Sequence, residues 1–293
     1  MGNTLFIGSR RARRGSIAFS ALPAAQPGNE MALVDAPGDA QRIARERAAA
    51  FNTVAAVGGD GTVSEVATGI WESGAKTRLA ILPAGTGNDA GHAFGVSSWE
   101  DGLKSLTSGR ERVVDAVEAV FRNGDAERRR LCLVGAGIGF PAAVARRASR
   151  RVKRLLGPLA YYYGALVEAA AYRPQTMRVT VDGETREGRI LLCAVVNAER
   201  TSRQTMRMAP GARVDDGLLD VLLVSDASKL RLLLNMGRLR NGTHVELPEV
   251  THMQAVSVTV DGPPAPLMID GDPLGQTPAA FRILPGALTV RVP

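Results

Sequence analysis

Residues 52–64 read NTVAAVGGDGTVS, a short apolar run, then three glycines around one aspartate, then a threonine. NTVAAV has the length of a buried strand, and VSEVATGIWESG (63–74) has helical apolar spacing and ends in glycine. The glycines therefore fall where a strand hands over to a helix. Lacking Cβ atoms, they let the backbone approach a ligand closely. The helix start adds free N–H groups and the positive end of a dipole, which together suit a phosphate. By itself the turn is also readable as a tight connection with no ligand. Asp60 is the odd member, because a carboxylate beside a phosphate is repulsive. It makes sense if it holds Mg²⁺ through water or accepts from a donor group of a nucleotide.

The flanking sequence supplies the frame. TLFI (4–7), MALVD (31–35), NTVAAV and RLAILPAG (78–85) read as buried strands, with helices over 37–51 and 63–74. Alternating strands and helices predict a Rossmann-like parallel α/β domain over residues 1–112. A second glycine turn, LPAGTGNDAGHAFG (82–95), follows the next strand and would lie beside the first at one sheet edge. From about residue 113 short strands and turn signals dominate, as in the hairpin MRVTVDGETREGRILLCAVV. This predicts a β-sandwich over 113–293, its last strand free to return to the first domain, with one helical stretch over 149–172.

Composition narrows the partners. The net charge of +7 favours anionic ones, but aromatics make up only 4% and do not interleave with the basic residues, which argues against nucleic acid. No run of about 18 apolar residues exists to span a membrane, and the N-terminal charges follow the apolar run, unlike a signal peptide. Cys132 and Cys193 lie in apolar runs and read as buried thiols, and the expected location is the cytoplasm. His92, His244 and His252 show no metal-ligand spacing. ARRASRRVKRLLGPLAYYY (145–163) is basic, then apolar and aromatic. It reads either as a surface helix or as a peripheral contact with anionic lipid at the inner membrane surface.

Together, GGDGTVSEV and LPAGTGNDAGHAFG resemble the diacylglycerol kinase catalytic domain, and most closely the bacterial soluble lipid kinases of the diacylglycerol and sphingosine kinase superfamily. GPLAYYYGALVEAAAYRPQTMRVTVDGE, MAPGARVDDGLLDVLLV and MIDGDPL extend the likeness in family order from about residue 31 to the C-terminus. NAD kinases and phosphofructokinases share a GGDG turn but not the later elements. The resemblance implies an α/β nucleotide domain joined to a β-sandwich, with the site between them.

It also implies roles. ATP binding falls to Gly58, Gly59, Asp60, Gly61, Thr62, Val63, Ser64 and Thr86, with Asn88 and Asp89 at the polar end of the second turn. A Mg²⁺ falls to Asp216 with the carbonyls of Arg213 and Leu218, although DDG alone reads as a plain turn. The general base falls to Asp272, where the family has a glutamate whose arm is longer by about 1.5 Å. Asp270 is the spare carboxylate of that turn. Other departures surround the site. The family's Asn-Pro turn is IGSRRARRGS (7–16), a nucleotide-facing threonine is Val34, and a glycine-rich run is ERTSRQTMRMAP (199–210).

The sequence thus predicts an ATP- and Mg²⁺-dependent kinase of a diacylglycerol-like lipid met at the membrane surface. The rivals are a kinase of a sphingoid or other hydroxyl acceptor and a non-catalytic lipid- or nucleotide-binding member of the fold. Neither the acceptor nor the oligomeric state is readable from the chain.

Overall fold

The computed structural model describes residues 3–9, 27–147, 167, 172–225, 231 and 234–293. The arginine-rich turn beyond Ser9, most of the helix expected over 149–172 and most of the basic-apolar run 145–163 lie outside the described residues.

Four strands, β1 (Thr4–Ser9), β2 (Glu30–Val34), β3 (Thr53–Gly58) and β4 (Arg78–Pro83), pair in parallel in the order β2-β1-β3-β4. Among the described residues four α-helices accompany them: α1 (Asp39–Arg47), α2 (Asp60–Ser73), α3 (Asp89–Phe94) and α4 (Trp99–Thr107). Leu5, Ile7, Val54, Ala56, Leu79 and Ile81 pack on one face with apolar residues of α1 and α2. Phe6, Ala55, Val57, Ala80 and Leu82 pack on the other with Trp99, Leu103 and Leu106 of α4. A sheet covered on both faces explains why these strands are continuous apolar runs rather than alternating ones. The start of α4 was legible as SWED but was not read. Ser98 Oγ accepts the Asp101 N–H while the Asp101 carboxylate accepts the Ser98 N–H, a reciprocal cap.

The second half begins with β5 (Arg110–Asn123), β6 (Ala126–Cys132), β7 (Gly135–Gly139) and α5 (Phe140–Arg147). It continues with β8 (Gln175–Val181), β9 (Glu184–Val196), the short pair β10 (Arg200–Thr201) and β11 (Met206–Arg207), and β12 (Leu219–Ser225). It ends with β13 (Val250–Ala255), β14 (Ser257–Asp261), β15 (Pro266–Ile269) and β16 (Asp272–Val292). The β8–β9 hairpin turns at Asp182 and Gly183, both at positive φ, as its Asp-Gly pair requires.

The β half closes further than an open sandwich would. Strands β9, β7, β15, β16, β14 and β8 form a hydrogen-bonded ring that closes back on β9, so the sheet curls into a barrel-like wall. Strand length is the reason. β9 has 13 residues and β16 has 21, and each pairs with different neighbours along its length. Register shifts at Gln276/Ala279 and Leu284/Leu288 accompany this change of partners on β16. Met177, Val179, Ile138, Val258, Leu267 and Phe281 belong to the core enclosed there. Cys132 and Cys193 are free and buried. The far end of β16 lies parallel to β4 through Val290 and Leu79. One 14-stranded sheet therefore runs through both halves.

α1 packs tightly against α2 at Gly69. A Cβ added to Gly69 would lie 2.3 Å from the Gln41 carbonyl oxygen and 2.6 Å from Ala44 Cβ. Gly69→Ala gains helix propensity of about 1 kcal/mol, but crowding of this kind costs about 1–3 kcal/mol. The expected outcome is net destabilisation, measured as a lower urea midpoint at unchanged slope. An unchanged or higher midpoint would show that α1 can slide away.

Candidate active site

The two glycine turns meet backbone to backbone at the C-terminal edge of the parallel strands. The Ala84 N–H donates to the Gly58 carbonyl at 2.8 Å. A Cβ on Gly85 would lie 2.4 Å from Gly59 Cα, and one on Gly59 would lie 3.1 Å from Gly85 Cα. Neither position has room for a side chain unless the turns separate. The result is a cradle edged by Gly58–Thr62 on one side and by exposed Thr86 on the other.

Asp60 locks this arrangement. Its carboxylate accepts the Asn88 N–H at 2.8 Å and the Ala90 N–H at 3.0 Å, so it tethers the second turn from the first. Both its oxygens hold backbone, a structural role that the sequence reading did not give it, and each keeps a further lone pair for a ligand. Desolvation raises its pKa to about 6, against the pull of those two N–H donors and with added repulsion from Asp89 and Asp270. Asn88, at φ 59, completes the turn by accepting the Gly85 N–H at 2.9 Å.

Two residues assigned to ATP by resemblance point elsewhere. Val63 is buried in the α1–α2 core, and Ser64 is buried with its Oγ donating to the Leu131 carbonyl at 3.0 Å. They lie on the face of α2 turned to the protein because α2 begins at Asp60, three residues before the expected start. Only their backbone faces the turn.

The second half supplies the rest. Asp270 (φ 47) and Gly271 (φ 83) form the two-residue turn between β15 and β16. This turn delivers exposed Asp272 to the cradle: its Oδ2 would lie 2.7 Å from a Cβ on Gly61. Asp270 is no substitute for it. Its side chain accepts the Leu133, Val134 and Gly135 N–H groups at 2.9–3.3 Å, and burial raises its pKa. Arg130 on β6 crosses to α2, donating to the Gly61 carbonyl at 3.1 Å and to Ser64 Oγ at 3.1 Å. The sequence reading passed over Arg130, whose only signal was the run RRR beside an apolar strand end.

Asp89, at the polar end of the second turn, reaches across to the segment after β9. Its carboxylate accepts the Ser202 N–H at 2.9 Å and the Arg203 N–H at 2.6 Å. Ser202, Arg203 and Gln204 stand at φ 53, 58 and 66, the left-handed region that favours glycine. This is where the resemblance expects a glycine-rich run, and here non-glycine residues occupy the left-handed region.

Asp216 is exposed, and its Oδ1 accepts only the Leu218 N–H, at 3.1 Å. Neighbouring Asp215 is taken by Arg112 and Arg213. Among the described residues no three His, Cys, Asp or Glu side chains group to hold a metal. A cation here would rely on one carboxylate, the Arg213 and Leu218 carbonyls and water, a hard-oxygen set that suits Mg²⁺. Asp115 steadies this turn, accepting the Gly217 and Gly286 N–H groups, each at 2.7 Å. It too was missed, although a lone carboxylate in the apolar strand VVDAV was the signal. His252 bonds Asp220 and His244 bonds the Met208 carbonyl, both far in sequence from the glycine turns. A cleft of about 350 Å³ opens between His92 of α3 and residues 198–215 and includes none of the cradle residues.

The likeness to known proteins follows this geometry. The diacylglycerol kinase catalytic domain matches residues 16–119, and the YegS C-terminal NAD kinase beta sandwich-like domain matches residues 133–292. A "Probable lipid kinase YegS-like" of Pseudomonas aeruginosa (strain PAO1) is 31% identical over 265 residues, covering 87% of this chain and 82% of its own. The chain belongs to the diacylglycerol kinase and YegS-like family of lipid kinases. A diacylglycerol kinase of Mycobacterium tuberculosis (strain H37Rv) is 31% identical over 246 residues, covering 83% of this chain and 77% of its own. A crystal structure of a diacylglycerol kinase from Bacillus anthracis str. Sterne shares the fold, with a TM-score of 0.72 at 22% identity over 99% of this chain and 97% of that one. Among the described residues of this family member no helix is long and apolar enough to cross a membrane.

Two outcomes test the site's electrostatics. Because the folded pKa of Asp60 (about 6) exceeds its ordinary 3.8, folding favours the neutral carboxyl. Stability contributed by that form at low pH should be lost as the pH rises from about 4 to about 6, and carboxyl NMR should show a midpoint near 6. A midpoint near the ordinary value would mean that water enters the clamp. Asp216→Asn should keep the Leu218 contact and the turn, yet remove the rise in melting temperature on adding Mg²⁺. An undiminished rise would place the ion elsewhere.

Proposed function

We propose that this family member transfers the γ-phosphate of ATP to the hydroxyl of a diacylglycerol-like lipid, with Asp272 as general base. One observation carries the reading: the β15–β16 turn brings an exposed carboxylate with no hydrogen-bond partner among the described residues against Gly61 of the glycine turn. The parallel layer β2-β1-β3-β4 would act as a Rossmann-like nucleotide domain, its paired turns cradling the phosphates through backbone N–H groups and the α2 dipole. Thr62 and Thr86 add hydroxyls at the rim. Phosphoryl transfer depends mainly on positioning and charge stabilisation, with a carboxylate to take the alcohol proton. Mg²⁺, held by Asp216 with the carbonyls of Arg213 and Leu218, would supply positive charge near the phosphates. The lipid would be met at the membrane surface, where the net charge of +7 suits an anionic leaflet.

Radiolabelled ATP, Mg²⁺ and a panel of extracted lipids test the reading, with the products separated by chromatography. Asp272→Ala should lower turnover by about 10²–10⁴-fold while sparing ATP binding. Gly61→Ala is the sharper probe. Gly61 is not at positive φ, so alanine fits the backbone, but its Cβ would displace the Asp272 carboxylate. The fold should hold while turnover falls by about a hundredfold, as misplacements near 1 Å do. Asp272→Glu should also lower turnover, because a longer arm meets a turn that the shorter one already reaches. Full activity in Asp272→Ala would sink the assignment of the base.

A further inference from the structure

Arg130 belongs to a run of three arginines on β6, and its surroundings differ from those of its neighbours. Arg128 is exposed. Arg129 pairs with Glu118 and lies over the Trp71 ring at 4.5 Å. Arg130 is half-buried and spends Nε and Nη2 on two neutral acceptors of α2, Ser64 Oγ and the Gly61 carbonyl. Among the described residues no carboxylate forms a close ion pair with it, although its charge acts on the buried Asp270 carboxylate.

We propose that Arg130 is a positioning residue for phosphoryl transfer, its guanidinium fixing the first turn of α2, and with it the nucleotide cradle, at the distance from Asp272 that transfer requires. The proposal rests on the reading of Asp272 as base.

Three facts converge on it. Gly61 is approached twice from the second half: Asp272 Oδ2 lies 2.7 Å from where a Cβ on it would sit, and Arg130 holds its carbonyl. Ser64 and Leu131 extend the same seam, since Ser64 Oγ donates to the Leu131 carbonyl and Thr68 Oγ1 accepts the Leu131 N–H at 3.1 Å. Arg130 is thus the long-armed end of a β6–α2 seam whose other contacts lie deeper along the helix. Placing a cation beside the first turn of a helix opposes the helix dipole. That placement makes sense where the geometry itself is needed and where anionic phosphate will later offset the charge. A guanidinium also suits the task better than an ammonium, because its planar fork meets two acceptors in fixed directions.

The test compares Arg130→Ala, Arg130→Lys and the control Arg128→Ala. Each is assayed with radiolabelled ATP and diacylglycerol in detergent micelles, and by hydrogen exchange of residues 60–65. Both Arg130 variants should lose at least tenfold in kcat with KM for ATP within threefold, because lysine keeps the charge but not the fork. Arg128→Ala should match wild type. Exchange in the first turn of α2 should quicken in both Arg130 variants while melting temperatures show a folded protein. Wild-type kcat in Arg130→Lys, or a raised KM for ATP with kcat intact, would overturn the proposal in favour of a simple charge contact. Unchanged exchange would overturn the clamp itself. If wild type phosphorylates no lipid, the reading of Asp272 fails, and the exchange data still decide whether Arg130 holds the cradle.

Discussion

The contact between Gly59 and Gly85 is the constraint on which the rest of the site depends. Two βα turns can share one sheet edge closely enough to hold a chain of phosphates only if neither carries a side chain at the point of contact. Backbone proximity alone would leave the second turn free to lift, since α3 has only six residues and little helix of its own to anchor it. Asp60 closes that gap by accepting two of its N–H groups. The carboxylate that looked out of place beside a phosphate is thus the reason the phosphate site has a fixed shape. Burial keeps its pKa high while the hydrogen bonds oppose the rise, which is the expected balance for a structural acid.

β16 carries the second constraint. A strand of 21 residues starts at Asp272 beside the cradle, passes through the barrel wall and ends beside β4 in the parallel layer. Both sides of the site therefore hang on one continuous backbone, and Asp115 ties its bend at Gly286 to the turn that carries Asp216. The proposed base and the candidate metal turn belong to the barrel half but are registered against the parallel half without a flexible linker between them.

What the sequence made legible was local. Strand runs, the glycine turns and the Asp-Gly hairpins are set by neighbouring residues, and they stand in the structure close to where the pattern puts them. The closure of the β ring was not legible, because it depends on pairings such as β14 with β16 and β7 with β9 that no local pattern encodes. The same limit explains the residues misread or missed. Asp60, Asp115 and Asp270 each satisfy backbone N–H groups at least 28 residues away, so a motif could mark them as notable but not say what they hold. Val63 and Ser64 followed the motif into the site by resemblance, whereas the helical period turns their side chains inward once α2 starts at Asp60.

The segment 199–207 shows how left-handed backbone can be held without glycine. Three successive non-glycine residues in the left-handed region cost about 1–2 kcal/mol each, which would ordinarily open the loop. Two hydrogen bonds to the Asp89 carboxylate contribute about 1.5–3 kcal/mol each, the pairing of β10 with β11 adds to them, and Glu199 draws in Arg207 and the Gly211 N–H. The two sides are of similar size, so the loop can hold its course over α3 without glycine. Asp89 lies in the second glycine turn itself, so the loop is fastened to the cradle rather than to the barrel. Side chains other than glycine then stand at the rim, Arg203 among them, on a backbone path that Asp89 holds.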